Sequence, residues 1–494
     1  MFFIVKLMSL SKLQQAADLF KLGDLVQAER LYSEALISHP ECGKAYLGMG
    51  VIALKFQQFD KAVSLLTKSC ELLPNEAFPL IHLSEAFNGV NSEIDGLTVL
   101  EYAANHLPNN AMVHYRLGLQ YIMWGDLTKG EHSFKTVIQL SQDAITSYAL
   151  LELTRLDSEP EQYLLLLEER LLKTKITSQE RTTLHYALGN VFHKIKNFQQ
   201  AWQHFENANL LQSELCKFKT SELKGFFQQI KISSTKDVLS LCRTSVENNS
   251  VNEIIPIFII GLPRTGSTLL ESLLTEHHDI ASAGEAPYLS REVAEFLFSQ
   301  TKSHYPYSIS NISDEQMNTA AQIYLEKMSI HAKGKGKGYV IDKLPANFQS
   351  IGLIYKLFPN AKILHLKRNL PDVALSIYRN YFAQNEPYFC SLHEFKQYHS
   401  LYTDLMEFWN TRLPEFIHEV SYEKLVINKN YTIKNILEFC GLSSQTDELK
   451  APEVNKVVRT LSNIQIRRPM STTVVNNWYH YAEHLSQFRD GEHG

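Results

Sequence analysis

Five residues in the second half of this 494-residue chain could cooperate in moving a charged group: Arg264, Glu285, Lys343, Arg368 and Tyr422. Each lies just past the end of a short apolar run. Arg264 and Lys343 bring positive charge to a leaving group that becomes anionic, the electrostatic contribution that dominates such transfers. Glu285 brings a carboxylate able to take a proton from an acceptor hydroxyl. Arg368, with Ser376 about two turns into the helical pattern that follows, makes a second anion site remote from the first. Two separated phosphate sites without an obvious set of metal ligands fit a nucleotide phosphorylated at both ends of its ribose.

A parallel sheet would bring residues so far apart in sequence to one rim. The β-branched and aromatic run Ile257–Ile260 stops at Gly261, the loop Leu262–Gly266 follows, and Ser267-Thr268-Leu269-Leu270 opens a helical pattern. Strand, glycine-bounded loop and helix start form an anion cradle of backbone N–H groups at a positive helix end. Gly261-x4-Gly266 has the spacing of a triphosphate-binding loop, but Ser267 stands where that motif needs lysine. The positive charge sits earlier, on Arg264. The loop therefore suits a nucleotide with a short 5′ group over a metal-chelated triphosphate, which argues against a nucleotide kinase. Ile280–Ala283, Tyr339–Ile341, Ala361–Leu366 and Ile417–Val420 read as further buried strands, separated by helical stretches such as Gln349–Leu357 and Asp372–Phe382. Alternating strands and helices predict a mostly parallel α/β sheet, with ligands beyond the carboxyl ends of its strands.

Pro263-Arg-Thr-Gly-Ser-Thr268, followed by Arg368-Asn369, Asp372 and Ser376, resembles the two nucleotide signatures of the sulfotransferases. Gly284-Glu285 and Asp342-Lys343-Leu344-Pro345 resemble the tyrosylprotein sulfotransferase branch, and the likeness runs roughly from Pro256 to Phe488. The resemblance implies a P-loop-like α/β domain, 3′-phosphoadenosine 5′-phosphosulfate as sulfuryl donor, and no metal. It implies that Arg264, Thr265, Gly266, Ser267 and Thr268 grip the 5′-phosphosulfate, while Arg368 and Ser376 hold the 3′-phosphate. It makes Glu285 the general base and Lys343 the group assisting the departing phosphate. Tyr422 is similar to a tyrosine near the adenosine, and Arg467-Arg468-Pro469 with Trp478 resembles a C-terminal segment that closes over the 3′-phosphate. Leu370-Pro371 departs from the family's order, in which proline often comes first. Arg379 lies near, but not at, the position of a further 3′-phosphate arginine in the tyrosine enzymes.

The first half repeats with a period of 34: Pro40, Pro74 and Pro108 share it, as do Tyr32, Leu66, Leu100 and Phe134. A small residue (Ala16, Gly50, Ser84, Gly118) recurs where two helices must approach closely. The pattern resembles the tetratricopeptide repeat, a helix–turn–helix unit that stacks into an all-α solenoid. A further unit at Gly189, Phe192, Ala201, Phe205 and Ala208 is out of register, so an irregular helical segment, Asp143–Arg181, is expected before it. The expected domains are a repeat array over 9–215, a helical linker over 216–250 and a sulfotransferase-like domain over 251–490. Together the two patterns resemble the bacterial tetratricopeptide-repeat sulfotransferases. The array reads either as a recruiter of an acceptor protein or peptide, or as a support for the second half.

Hydrophobic content of 44%, charged content of 20% and a net charge of −5 describe an ordinary globular protein with no pull towards nucleic acid. Six cysteines without a CxxC pair argue against a zinc ribbon or disulfide framework and fit a reducing compartment. No apolar run reaches membrane-spanning length and the first residues lack a signal-peptide pattern, so a cytoplasmic location is expected. His480-Tyr-Ala-Glu-His484 spells a zinc-protease motif but reads as a solvated C-terminal helix. His277-His278-Asp279 reads as a helix end, and Lys333–Gly338 as a basic linker. The expected activity is sulfuryl transfer to an acceptor hydroxyl, with protein tyrosine, saccharide and small alcohol all open as acceptors. The alternative is a nucleotide-binding scaffold without turnover.

Overall fold

The computed structural model describes residues 2–156, 158–240, 254–332, 338–382, 386–443 and 476–489, with side chains from residue 11 onward. Two compact units result, Met1–Thr174 and a second that begins at Lys175.

The first unit is a run of helices: α1 (Phe2–Leu22), α2 (Leu25–Ser38), α3 (Gly43–Lys55), α4 (Phe59–Leu72), α5 (Ala77–Gly89), α6 (Glu93–His106), α7 (Ala111–Trp124), α8 (Leu127–Leu140), α9 (Ala144–Leu156) and α10 (Leu164–Leu171). The period of 34 has a physical origin in each hairpin. A Cβ on Gly50 would lie 2.6 Å from Leu66, and one on Gly118 would lie 2.7 Å from Phe134. The small residue of the first helix thus receives the large residue of the second. Gly23, Gln57, Asn91 and Gly125 all take left-handed backbone at the hairpin turns, at the same period. Asp24, Asn110 and Asp126 cap the following helices through their side chains. The stretch expected to be irregular holds α9, a 3-10 turn at Pro160–Tyr163 and α10.

The second unit opens with another hairpin of the same kind, α11 (Ser178–Lys194) and α12 (Phe198–Ser213), where a Cβ on Gly189 would meet Phe205 at 2.4 Å. Helices α13 (Leu223–Ser233) and α14 (Lys236–Ser240) follow. Five strands then form one sheet: β1 (Ile255–Gly261), β2 (Ile280–Ser282), β3 (Tyr339–Asp342), β4 (Lys362–Lys367) and β5 (Ile417–Ser421). Their order is β2-β3-β1-β4-β5, and every pairing is parallel. The intervening helices are α15 (Ser267–Leu274), α16 (Ala294–Thr301), α17 (Asp314–Ala332), α18 (Ile351–Leu357), α19 (Leu370–Tyr378), α20 (Pro387–Cys390), α21 (Leu392–Arg412), α22 (Tyr422–Ile427) and α23 (Lys429–Cys440).

β1 is the central strand, and its run is continuously apolar because both faces are covered. Ile257 and Ile259 pack with Leu270, Leu425 and Leu437 on one side. Phe258 stacks on Tyr324, which packs against Phe358, on the other. No helix among the described residues is long and apolar enough to cross a membrane.

Replacing Gly118 with valine should cost the array about 1–3 kcal/mol by overpacking against Phe134. Urea unfolding followed by circular dichroism checks this, with the loss confined to the helical transition.

Candidate active site

Parallel strands deliver all their carboxyl ends to one rim, and the strand order fixes the sequence along it. Glu285 follows β2, Lys343 follows β3, Arg264 follows β1, Arg368 follows β4 and Tyr422 follows β5. The spatial order is therefore Glu285, Lys343, Arg264, Arg368, Tyr422.

The central loop is shaped by backbone that only certain residues tolerate. Gly261 has φ +151, and a Cβ there would meet the Leu366 carbonyl oxygen at 2.6 Å, so glycine lets β1 end against β4. Arg264 itself takes a left-handed φ of +67, a strained conformation for a side-chain-bearing residue. Thr265 is turned inward and donates to the Leu262 carbonyl at 2.8 Å. Gly266 caps α15 with φ +101, and Ser267 and Thr268 are the first residues of that helix. Their N–H groups make up the helix's positive end.

Three contacts tie this loop to the neighbouring strand ends. Arg264 Nε donates to Ser376 Oγ at 3.1 Å, and Arg368 Nη1 donates to the Arg264 carbonyl at 3.3 Å. The Arg368 guanidinium lies 4.4 Å above the Tyr422 ring, and that ring fills the space a Cβ on Gly266 would need, at 2.4 Å. Tyr422 is thus a buried slab between the loop backbone and a cation. Arg264, Arg368, Ser376 and Tyr422 come together as one cluster.

Lys343 and Glu285 form the other cluster, across β3 and β2. Lys343 is 2% exposed, and its Nζ donates to Glu285 Oε1 at 2.8 Å. Just before it, Asp342 is fully buried and accepts from Tyr324 Oη at 2.8 Å and Asn347 Nδ2 at 3.1 Å. Burial pushes the Asp342 carboxyl up to about 7 despite these donors.

Helix α19, which carries Ser376, is held at both ends. Asn369 caps it by accepting from Asp372 N at 3.3 Å, while Asn369 N donates to Glu423 Oε1 at 2.8 Å. Pro371 sits in the first turn, where its missing N–H costs nothing. The buried Asp372 carboxylate accepts from Asn476 N at 2.8 Å and Trp478 N at 3.2 Å, and burial raises its pKa. At the other end, Asn209 Nδ2 donates to the Tyr378 carbonyl at 2.7 Å and Gln212 Nε2 to the Phe382 carbonyl at 2.6 Å. Arg379 reaches His193 Nε2 at 2.9 Å, and His193 Nδ1 lies 2.7 Å from Tyr481 Oη. Arginine can only donate, so Nε2 accepts and Nδ1–H donates to the tyrosine. Burial and then the Arg379 charge push His193 down to about 2, keeping it neutral.

Arg467, Arg468 and nearly all of the Lys333–Gly338 loop lie outside the described residues. His480 and His484 stack on Phe198 and Trp202 of α12. His277, His278 and Asp279 have ligand atoms within 4.8 Å of one another, at the turn into β2. The sequence reading missed Glu271 and the α12 pair Asn209 and Gln212, and it took Asn369 and Glu423 only as parts of motifs, without their hydrogen bond to each other. A carboxylate inside the apolar pattern of α15 was the available signal for Glu271, and the cap position before Leu370-Pro371 was the signal for Asn369.

The Tyr422 ring, and not its hydroxyl, makes the contacts described, so Tyr422→Phe should change the stability of the fold by less than about 1 kcal/mol while Tyr422→Ala lowers it by about 3–5 kcal/mol. Calorimetry reads both. Asp342 has a folded pKa near 7 against an ordinary 3.8. Its stabilising contribution is fully present below the ordinary value and is lost as pH rises towards about 7. Asp342→Asn should flatten that slope in urea titrations run between those two values.

Residues 256–447 match the family described as "Sulfotransferase family". An uncharacterized protein of Aquifex aeolicus is 26% identical over 80% of this chain and 52% of its own length. Protein-tyrosine sulfotransferase 1 of Danio rerio is 25% identical over 45% of this chain and 65% of its own. The chain thus spans about half to two thirds of these relatives. Among solved structures, a thermophilic TPR protein of Thermus thermophilus is 21% identical, with a TM-score of 0.29 over 40% of this chain and 98% of that one. The C-terminal half of the chain, built on the five-stranded parallel sheet, carries a sulfotransferase-family domain.

Proposed function

We propose that the chain transfers a sulfuryl group from 3′-phosphoadenosine 5′-phosphosulfate to an acceptor hydroxyl. The observation that carries this reading is the Lys343–Glu285 contact at 2.8 Å, on the same rim as a phosphate-type loop without its lysine. Sulfuryl transfer to a hydroxyl needs a base beside a cation that meets the leaving phosphate, and a single-phosphate cradle meets the rest of the need.

In this reading Arg264 and the backbone N–H groups of Thr265, Gly266, Ser267 and Thr268 hold the 5′ end of the donor. Arg368 and Ser376 select the 3′-phosphate, Tyr422 borders the adenosine, and Arg467 completes the 3′ end. Glu285 takes the acceptor's proton while the acceptor oxygen bonds to sulfur. The bond from sulfur to the 5′-phosphate oxygen breaks, and Lys343 with Arg264 meets the charge left there. The donor supplies the activated group. The repeat array is the proposed recruiter of an acceptor protein or peptide, a protein tyrosine being one acceptor beside saccharides and small alcohols, and a cytoplasmic setting fits the five described cysteines, all free.

Purified protein incubated with radiolabelled donor and a panel of tyrosine peptides, glycans and alcohols should label at least one acceptor. Glu285→Gln should lower kcat about 10²- to 10⁴-fold. Unchanged transfer in that variant removes Glu285 from the mechanism. Tight binding of the bisphosphate nucleotide with no labelled acceptor favours a scaffold, and magnesium-dependent ATP consumption favours a kinase.

A further inference from the structure

Lys343 faces two carboxylates, only one of which the proposed chemistry uses. Beyond Glu285, its Nζ lies 3.7 Å from Glu271 Oε2 on α15. The two acids differ in setting: the Glu285 side chain is 48% exposed and the Glu271 side chain 12%. Water screens the first pair more than the second, so distance alone does not rank them.

Glu271 also reaches Glu285 by a second route. Its Oε1 accepts from Ser282 Oγ, and Ser282 Oγ accepts from Gly284 N at 3.0 Å. Lys343 N donates to the Gly284 carbonyl at 2.8 Å. The peptide groups flanking Gly284, which has a left-handed φ of +66, are therefore held from both sides immediately before Glu285. One carboxylate is linked to the ammonium directly and to the base through a serine and a backbone amide.

We propose that Glu271 is a positioning residue that holds Lys343 charged and in place when Glu285 gives up its pairing. The consequence for turnover rests on the sulfuryl-transfer reading; the charge role does not. In the arrangement described, Lys343 is hydrogen-bonded to the group that must act as base. Once Glu285 has accepted the acceptor's proton it is neutral, and a nearly inaccessible ammonium with no counter-charge is strongly unfavourable. Glu271 supplies that counter-charge through the step, leaving Lys343 free to meet the phosphate oxygen as the bond from sulfur breaks. Ser282 keeps Glu271 aimed, and the same hydroxyl keeps the turn before Glu285 in register.

The test uses the full chain and four forms: wild type, Glu285→Gln, Glu271→Gln and the double variant. Glutamine keeps the shape and an oxygen for Ser282, so a purely structural role survives the change and a charge role does not. The first readout needs no substrate: acetylation of Lys343 by acetic anhydride at fixed pH, followed by peptide mass spectrometry against exposed Lys302. Only the neutral amine reacts, so the double variant should react at least about tenfold faster than Glu285→Gln alone. Equal rates in those two forms overturn the proposal, whatever the activity. The second readout is transfer, where Glu271→Gln should lower kcat about ten- to a hundredfold with KM for the donor within about threefold. Wild-type transfer with an unaltered kcat in Glu271→Gln overturns the role in turnover. Faster acetylation in the double variant together with an inactive wild type upholds the charge role of Glu271 and rejects sulfuryl transfer.

Discussion

A parallel sheet has no freedom over where its strands finish, and everything on the candidate site follows from that constraint. With β1 between β3 and β4, the glycine-bounded loop occupies the middle of the rim. Glu285 and Lys343 fall to one side, and Arg368, Ser376 and Tyr422 to the other. Neighbouring strands lie about 4.8 Å apart, so β3 and β4 are separated by roughly 10 Å, the scale of a ribose carrying a phosphate at each end. The chemical end and the recognition end of the proposed donor thereby acquire separate supports. β1 must be buried on both faces for this to work, which is why its residues are apolar without interruption.

Charge is placed in this domain mostly where it is fully accompanied. Asp342 is surrounded by a phenol and an amide, and Asp372 by two backbone N–H groups from beyond residue 475. A buried carboxylate with those donors removed would cost far more than the hydrogen bonds contribute. Such groups hold geometry firmly, and here they hold the residue before Lys343 and the helix of Ser376. The α11–α12 hairpin serves the same helix from its other end through Asn209 and Gln212. The sequence pattern assigns that hairpin to the repeats, yet it packs within the same compact unit as the sheet. A repeat motif and a folding unit are different things.

Much of this was legible in the chain itself. Strand order of appearance, the loop, the period of 34 and the residues after each strand all leave local signatures, because each is set by neighbours in sequence. The lateral order of the strands left none, so the grouping of Arg264 with Ser376 and of Lys343 with Glu285 could not be read. Nor could Glu271, whose partners Ser282 and Lys343 come from other elements. The cysteines make the same point: Cys216 and Cys390 are far apart in sequence, but their sulfurs lie 3.5 Å apart. Tyr422 was legible as a residue after a strand but not as a slab, since the space it fills is defined by Gly266.

The two N–H donors to Asp372 lie 104 and 106 residues downstream of it. A ribosome releases Ser376 and its helix well before the backbone that satisfies that helix's buried acid has been made. Until then the acid is without these two donors, although Glu423 can already accept from Asn369 at the start of the helix. The setting of this helix is thus completed only after more than a hundred further residues, so a nascent chain stalled before residue 476 would carry the glycine loop and the lysine but not the two donors that satisfy Asp372.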